Sequence, residues 1–437
     1  MNDNKRAVRS LVRTLGDGRI ENRLQALVTL VTRNPKRNNS GGINLHVHTN
    51  ESYSLFRSPT EAVWYAYSSG VEYFGINDHY TIDGHPEFRD ACRIADLKPA
   101  FSIEAVAMDP VSCRANRRYN DPNNPGRCYL IGKGVTRNLN RNGENERLLL
   151  RMRNAIQRRN VEIVERLNSY AEKKGYSINI TYEDVRRLTP RGNATERHVV
   201  QAFCEKLDSL SEEESMRLEI YSAVIGRDLS VETLNDPAAL LTTVRAGLVK
   251  TGGACYVEED SEAFTSIESL VGMYLEYGAI PSYPFMGGPV TEEEEDLDRL
   301  FKRVVSYGIY AFDVVEFRTP LDKAREIVTF AQERGFPVFI GTEHNTKRVD
   351  PIIGEIAKDS VLYGYLKRSA EFVIGHQVLS TLCDYGYVTE EGLPHIENLR
   401  EGFALFSEVG AMDLTPERIE EIEMMDMTDR KKTLGIQ

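Results

Sequence analysis

The sequence predicts an α/β protein built on a parallel sheet closed by helices, with helical additions around it. Three observations predict this class. The chain has 437 residues, enough for a barrel of about 250 residues with extensions. From residue 43 onward, short apolar runs alternate with amphipathic helical patterns, the signature of strands joined by crossover helices. Finally, metal-ligand-type residues fall at or just past the ends of those apolar runs.

The elements follow in order. Apolar residues at Val8, Leu11, Val12 and Leu15, then at Leu24, Leu27, Val28 and Val31, repeat at helical spacing and predict two short helices. A polar, glycine-containing break at 38–42 ends this N-terminal extension, residues 1–42. Residues 43–47 read as a strand, and a helix follows at 59–69 with Ser58 as N-cap and Pro59 at its first position. A strand at 72–76, a helix at 86–95 and strands at 100–106 and 128–132 come next. Helices are predicted at 145–174, 195–207, 212–225 and 237–249. With few strand signals there, the region is read as a helical insertion at about 138–192 plus two barrel helices. Alternation resumes after Ser266 with a helix to Tyr277, a strand at 279–282 and a helix at 292–305. A strand at 312–316, a helix at 321–334 and a strand at 337–341 complete a barrel spanning 43–349. Residues 350–437 read as a helical cap.

Composition excludes several function classes. At 41% hydrophobic and 27% charged residues, the chain has the make-up of a folded globular protein rather than a disordered one. No apolar run approaches the roughly 18 residues of a membrane span, and the N-terminus lacks the apolar core of a secretory signal. Six cysteines without a CxxC pair fit reduced thiols, so a cytoplasmic location is expected. Net charge is −12, which does not favour a nucleic-acid partner and leaves the oligomeric state open. Yet residues 114–160 hold eleven arginines and Lys133 against Asp121, Glu144 and Glu146. Such a block can draw in a small anionic substrate, with Arg117 and Arg118 as candidate contacts; a solvated helix face is the plainer reading. The acidic run at 292–296 reads as the first turn of a helix capped by Thr291.

The chemistry concentrates at strand ends. His46 and His48 are two residues apart on a predicted strand, so both imidazoles point to one side and can share a cation. Asp78 and His79 end the next strand, Glu104 the one after, and Glu343 and His344 follow the last. Carboxyl ends of parallel barrel strands share one face, so these residues converge there. Imidazole with carboxylate suits zinc, manganese or iron.

LHVHT at 45–49, INDH at 76–79, SIEA at 102–105 and FIGTEH at 339–344 resemble, in that order, the motifs of polymerase-and-histidinol-phosphatase (PHP) enzymes. TERHVVQAF at 195–203 is similar to that family's arginine–histidine helix start. The resemblance covers about 300 residues. It implies a distorted (β/α)7, TIM-like barrel and hydrolysis of phosphate esters with one to three metals. The chain departs from the family at Tyr53, Tyr129 and Tyr283, which stand at presumed ligand positions, and at Glu343 and Asn345. One well-formed site from His46, His48, Glu104 and Glu343 is therefore expected, with His344 as a further candidate ligand and a weaker second site using His79, near which Glu51 can supply a carboxylate: one or two divalent ions per chain. Asp78 is expected to hold a histidine tautomer, and Glu316 to be structural. His79 and His198 are candidate general acids or bases, and Arg197 a candidate anion ligand. The leading expectation is metal-assisted hydrolysis of a small phosphorylated or otherwise anionic substrate. The alternative is a degenerate barrel that senses or scaffolds without turnover.

Overall fold

A computed structural model describes residues 2–35 and 41–436; residues 38–40 of the expected polar break lie outside them. Seven strands form one sheet in chain order: β1 (Gly42–Val47), β2 (Val71–His79), β3 (Lys98–Met108), β4 (Arg127–Lys133), β5 (Ile280–Phe285), β6 (Ala311–Val315) and β7 (Val338–Gly341). The sheet curls until β1 meets the end of β7. Glu343 donates its backbone N–H to His46 O and accepts from His48 N, each at 2.8 Å. Gly341 permits that seam, because a Cβ there would overlap the backbone of His46. The result is the α/β, TIM-like barrel that the alternation predicts.

The strands are not all parallel. β4 runs antiparallel to both β3 and β5. Residues 109–126 before it contain the five-residue helix Pro110–Arg114 and no helix long enough to serve as the crossover that usually joins parallel neighbours. In consequence the amino end of β4, with Arg127 and Tyr129, lies level with the carboxyl end of β3.

Helices close the two ends of the barrel differently. The long helix Tyr363–Cys383 bonds to the entry ends of the strands: Tyr363 to Gly41 O, Gln377 to Pro99 O, Ser369 to Val338 N, and His376 to Gly134 O and Gly278 O. The opposite end faces a separate set of helices, from the second half of Glu144–Lys173 to Pro237–Leu248, with its own apolar core running from Ile163 to Val257. That core extends well past the boundary near 192 expected for the insertion.

One further expectation changes. The two N-terminal helices (Asn2–Thr14, Ile20–Arg33) and the Ser58-capped helix Pro59–Ser68 form as the spacing predicts. The helix expected from 292, however, begins at Leu297 with Asp296 as its cap. Glu293 and Glu294 are buried in the preceding turn rather than solvated. Glu293 pairs with Arg303, and Glu294 accepts from Tyr283 and Thr291, so local partners replace water.

Candidate metal centre

Strand register assembles the site. His79 of β2 lies directly opposite Glu104 of β3, and the seam between β1 and β7 brings His46 and His48 to the same end. His46, His48 and Glu104, all buried, offer ligand atoms within 4.8 Å of one another. His46 Nε2 is 3.1 Å and His48 Nε2 3.8 Å from Glu104 Oε2, while His79 Nδ1 is 3.6 Å from Oε1. Asn77, also on β2, places its amide nitrogen 2.7 Å from both His46 Nε2 and Glu104 Oε2.

The donor set fits a divalent cation on two grounds. His48 Nε2 and His79 Nδ1 are buried and have no hydrogen-bond partner, although buried ring nitrogens are normally satisfied. Protonation is also suitable at two of the groups. Burial, reinforced by the neighbouring His79 and His46, pushes His48 well below its ordinary value, so it is neutral and keeps a lone pair. Burial alone would raise Glu104, but His79 and His46 outweigh it and lower the carboxyl. For His46, burial opposes charge, yet Asp313 and Glu104 prevail and raise the ring to about 9.

Several expected contributors stand elsewhere. Glu343 is a barrel-closing residue whose carboxylate pairs with Arg318 at 2.6 Å and accepts from Asn345. It is not part of the His46–His48–Glu104 group. His344 has both ring nitrogens engaged, Nδ1 with Thr342 Oγ1 at 2.6 Å and Nε2 with Asp350 O at 3.2 Å. Both line a neighbouring cleft of about 560 Å³. Their backbones turn with φ near +59° and +51° directly after β7, which carries the side chains away from the cluster. Asp78 bonds no histidine ring directly: it accepts from Thr49 N, Thr49 Oγ1 and Ser52 Oγ, ties down the loop after His48, and reaches His48 through Ser52 Oγ, 3.4 Å from its Nδ1. His198 accepts from Thr195 N through Nδ1, caps its own helix and packs edge-on against Tyr53. Glu51 is buried and paired with Arg191; burial raises it to about 7. Glu316 accepts from the backbone of Ile356 and Ala357.

The three tyrosines do not join the cluster. Tyr53 lies under Lys347 and Arg197, Tyr129 is on β4, and Tyr283 donates to Glu294. Burial raises all three phenols above their ordinary value, so they stay neutral.

Glu104 and His79 form part of the lining of a cleft of about 530 Å³ between the barrel and the inserted helices. Arg127, Arg159, Arg197, Arg245, Lys250 and Arg318 line it too. Arg159, Arg245 and Lys250 converge on Glu196, and Arg127 pairs with Glu259. Arg197 makes no ion pair with a carboxylate among the described residues; it sits 5.9 Å from the Tyr53 ring centroid. Burial lowers it to about 10, still cationic at neutral pH. Arg117 and Arg118 are outside the cleft, paired with Glu293 and Glu292. Of the basic block, it is Arg127 and Arg159 that reach it.

No protein-family model matches the chain, and no curated protein does. Among solved structures it is similar to a protein from Bifidobacterium adolescentis named as a metal-dependent phosphoesterase, at 17% identity and TM-score 0.49 over 75% of this chain and 96% of that one. It is also similar to an amidohydrolase from Chromobacterium violaceum, with bound sulfate and no metal, at 16% identity and TM-score 0.45 over 74% and 96%.

Sequence reasoning missed Asn77, Asp313, Lys133, Arg191, Asn193, Arg245 and Arg318. Asp313 carried a signal, since it is a lone acid inside the apolar strand AFDVV. The insertion residues carried none. Asn193 donates to Glu51 O and His79 O, fastening the insertion to the strand ends through a contact visible only in three dimensions.

Proposed function

We propose that the protein is a metal-dependent hydrolase of a small anionic ester, with a phosphoester as first choice. One juxtaposition supports this best: a buried imidazole–carboxylate cluster beside a cleft lined by six cationic side chains. His46, His48 and Glu104 would hold one zinc, manganese or iron ion, with His79 at hand for the same ion or a second. A bound divalent ion supplies an activated water and polarises the scissile group.

The chain's own residues do the rest. Arg197, with no carboxylate to neutralise it, receives the anionic group, because a desolvated guanidinium gains most from an incoming oxyanion. Arg318 and Arg245 flank it at the cost of sharing their charge with Glu343 and Glu196. His79, 22% exposed and facing Glu104, is placed to hold or move a proton at the cleft wall. His198 instead packs edge-on against Tyr53, whose ring also meets Lys347 and Arg197.

The test is elemental analysis of the purified chain, followed by hydrolysis of aryl and alkyl phosphoesters with added zinc, manganese or iron. One or two ions per chain and hydrolysis that His48→Ala abolishes are expected. A chain that retains no metal, and whose hydrolysis no added metal stimulates, would end this reading.

A further inference from the structure

Directly beneath the cluster the barrel interior holds a charged pair. Lys133 on β4 and Asp313 on β6 lie across it, Nζ to Oδ2 at 2.7 Å, with side chains 1% and 0% exposed. Barrel interiors are normally filled by branched apolar side chains, and burying two charges costs desolvation that their attraction only partly offsets. The pair's remaining contacts indicate what it gains. Asp313 Oδ1 is 3.0 Å from His46 Nδ1. Lys133 Nζ also donates, at 2.8 Å, to the carbonyl of Leu45, the residue immediately before His46. The two side chains therefore grip His46 by its ring and by the peptide that carries it.

The chemistry of the bond decides the ring's orientation. An ionised carboxylate only accepts, so Nδ1 carries the proton shared with Asp313. Nε2 is then the atom turned toward Asn77, Glu104 and the cluster. Lys133 is the cation that the second oxygen of Asp313 meets among the described residues.

We propose that Lys133 and Asp313 are a positioning pair for the metal centre: Asp313 fixes the tautomer and plane of His46, and Lys133 fixes Asp313. The inference rests on the metal reading of His46, His48 and Glu104. It adds to that reading two residues from strands that contribute no ligand. Such outer partners of a ligating histidine typically change metal affinity by roughly 10–100-fold when removed.

The test uses the full chain and cobalt(II), whose visible absorption reports ligand geometry and whose affinity is read by competition with a chelator. Asp313→Asn should weaken cobalt binding by about 10–100-fold and alter the absorption bands. Lys133→Met should act in the same direction by less. The double variant should exceed Asp313→Asn alone by no more than the small share that the Lys133–Leu45 bond contributes, because Lys133 acts chiefly through Asp313. A merely structural pair would lower the thermal midpoint of the metal-free chain but leave cobalt affinity and spectrum of the folded protein as in the parent; that result would overturn the proposal. Should Asp313→Asn not fold, Lys133→Met carries the same two outcomes. Parent protein that fails to bind cobalt would instead bring down the metal reading itself, as would a His48→Gln variant binding as the parent does.

Discussion

The two walls of the cleft are built on different principles. On the barrel wall, His79 and Glu104 sit on strand ends whose register is set by main-chain ladders, with His46, His48 and Asn77 fully buried behind them. On the helical wall, Arg159, Arg245 and Lys250 come from separate parts of the insertion and meet on one carboxylate, Glu196. Burial alone would raise Glu196, but those three cations outweigh it and hold it far below its ordinary value. The barrel wall is set by main-chain register, whereas the helical wall is held by long side chains meeting on one carboxylate. The comparison divides the proposed function: the strand ends would hold the cation, and the insertion, joined by Arg127 of β4 and by Arg318, would receive the anion.

The sharpest way to break that division is on the barrel wall. His48→Ala removes a ligand atom with no other partner and should abolish tight metal binding and all hydrolysis. Arg197→Gln and other changes on the helical wall should leave metal content at the parent value, read by elemental analysis of each variant.

A smaller effect is expected from Arg197→Gln itself. Losing a charge-assisted hydrogen bond of roughly 1.5–3 kcal/mol should lower kcat/KM for an anionic substrate by about 10–100-fold. The loss should be larger at low salt, where screening is weaker. Equal losses on a neutral ester would show that Arg197 supports the fold rather than the anion.

Next comes a pH effect to which His198 contributes from the helical wall, alongside the buried His85 and His376 of the barrel. His198 is buried and neutral, and desolvation lowers it to about 3 from an ordinary value of 6.5. Below pH 6.5 the unfolded chain takes up a proton that the folded chain refuses, so stability is complete above 6.5 and declines as pH falls toward 3. Thermal midpoints measured from pH 7 down to 4 should fall. His198→Gln, which retains a side chain able to serve the capping box, should flatten that slope. An unchanged slope would place the acid sensitivity in the barrel, where burial lowers His85 and His376 to about 4.

The smallest effect is expected outside the cleft. Arg117→Gln with Arg118→Gln breaks two ion pairs, both with partly exposed arginines; pairs of this kind contribute at most about 1 kcal/mol each. Substrate affinity should stay at the parent value at low salt, and a clear loss would extend the anion site beyond the six cations of the cleft.

The uneven legibility of the two walls has the same origin. HxH at 46–48 and the strand-terminal His79 and Glu104 could be read because a strand's two-residue period and the shared face of barrel strand ends convert sequence position into spatial position. Glu343 and His344 looked equivalent by that rule, but two successive residues of positive φ after β7 redirect them. Asp78 and His198 instead bond backbone amides, Asp78 that of Thr49, 29 residues away, and His198 that of Thr195 at the start of its own helix.

The amino-acid sequence by itself determined the order of strands and helices, the barrel they close into and the imidazole–carboxylate cluster at one end, since each follows from short-range periodicity and covalent order. The tertiary structure alone decided which of the many arginines face the cleft. It also decided that β4 runs against its neighbours, and that Lys133 and Asp313 meet beneath His46. Those outcomes depend on helix packing and on pairings across 180 residues of chain, where the energy of each contact is small and only their sum selects one arrangement.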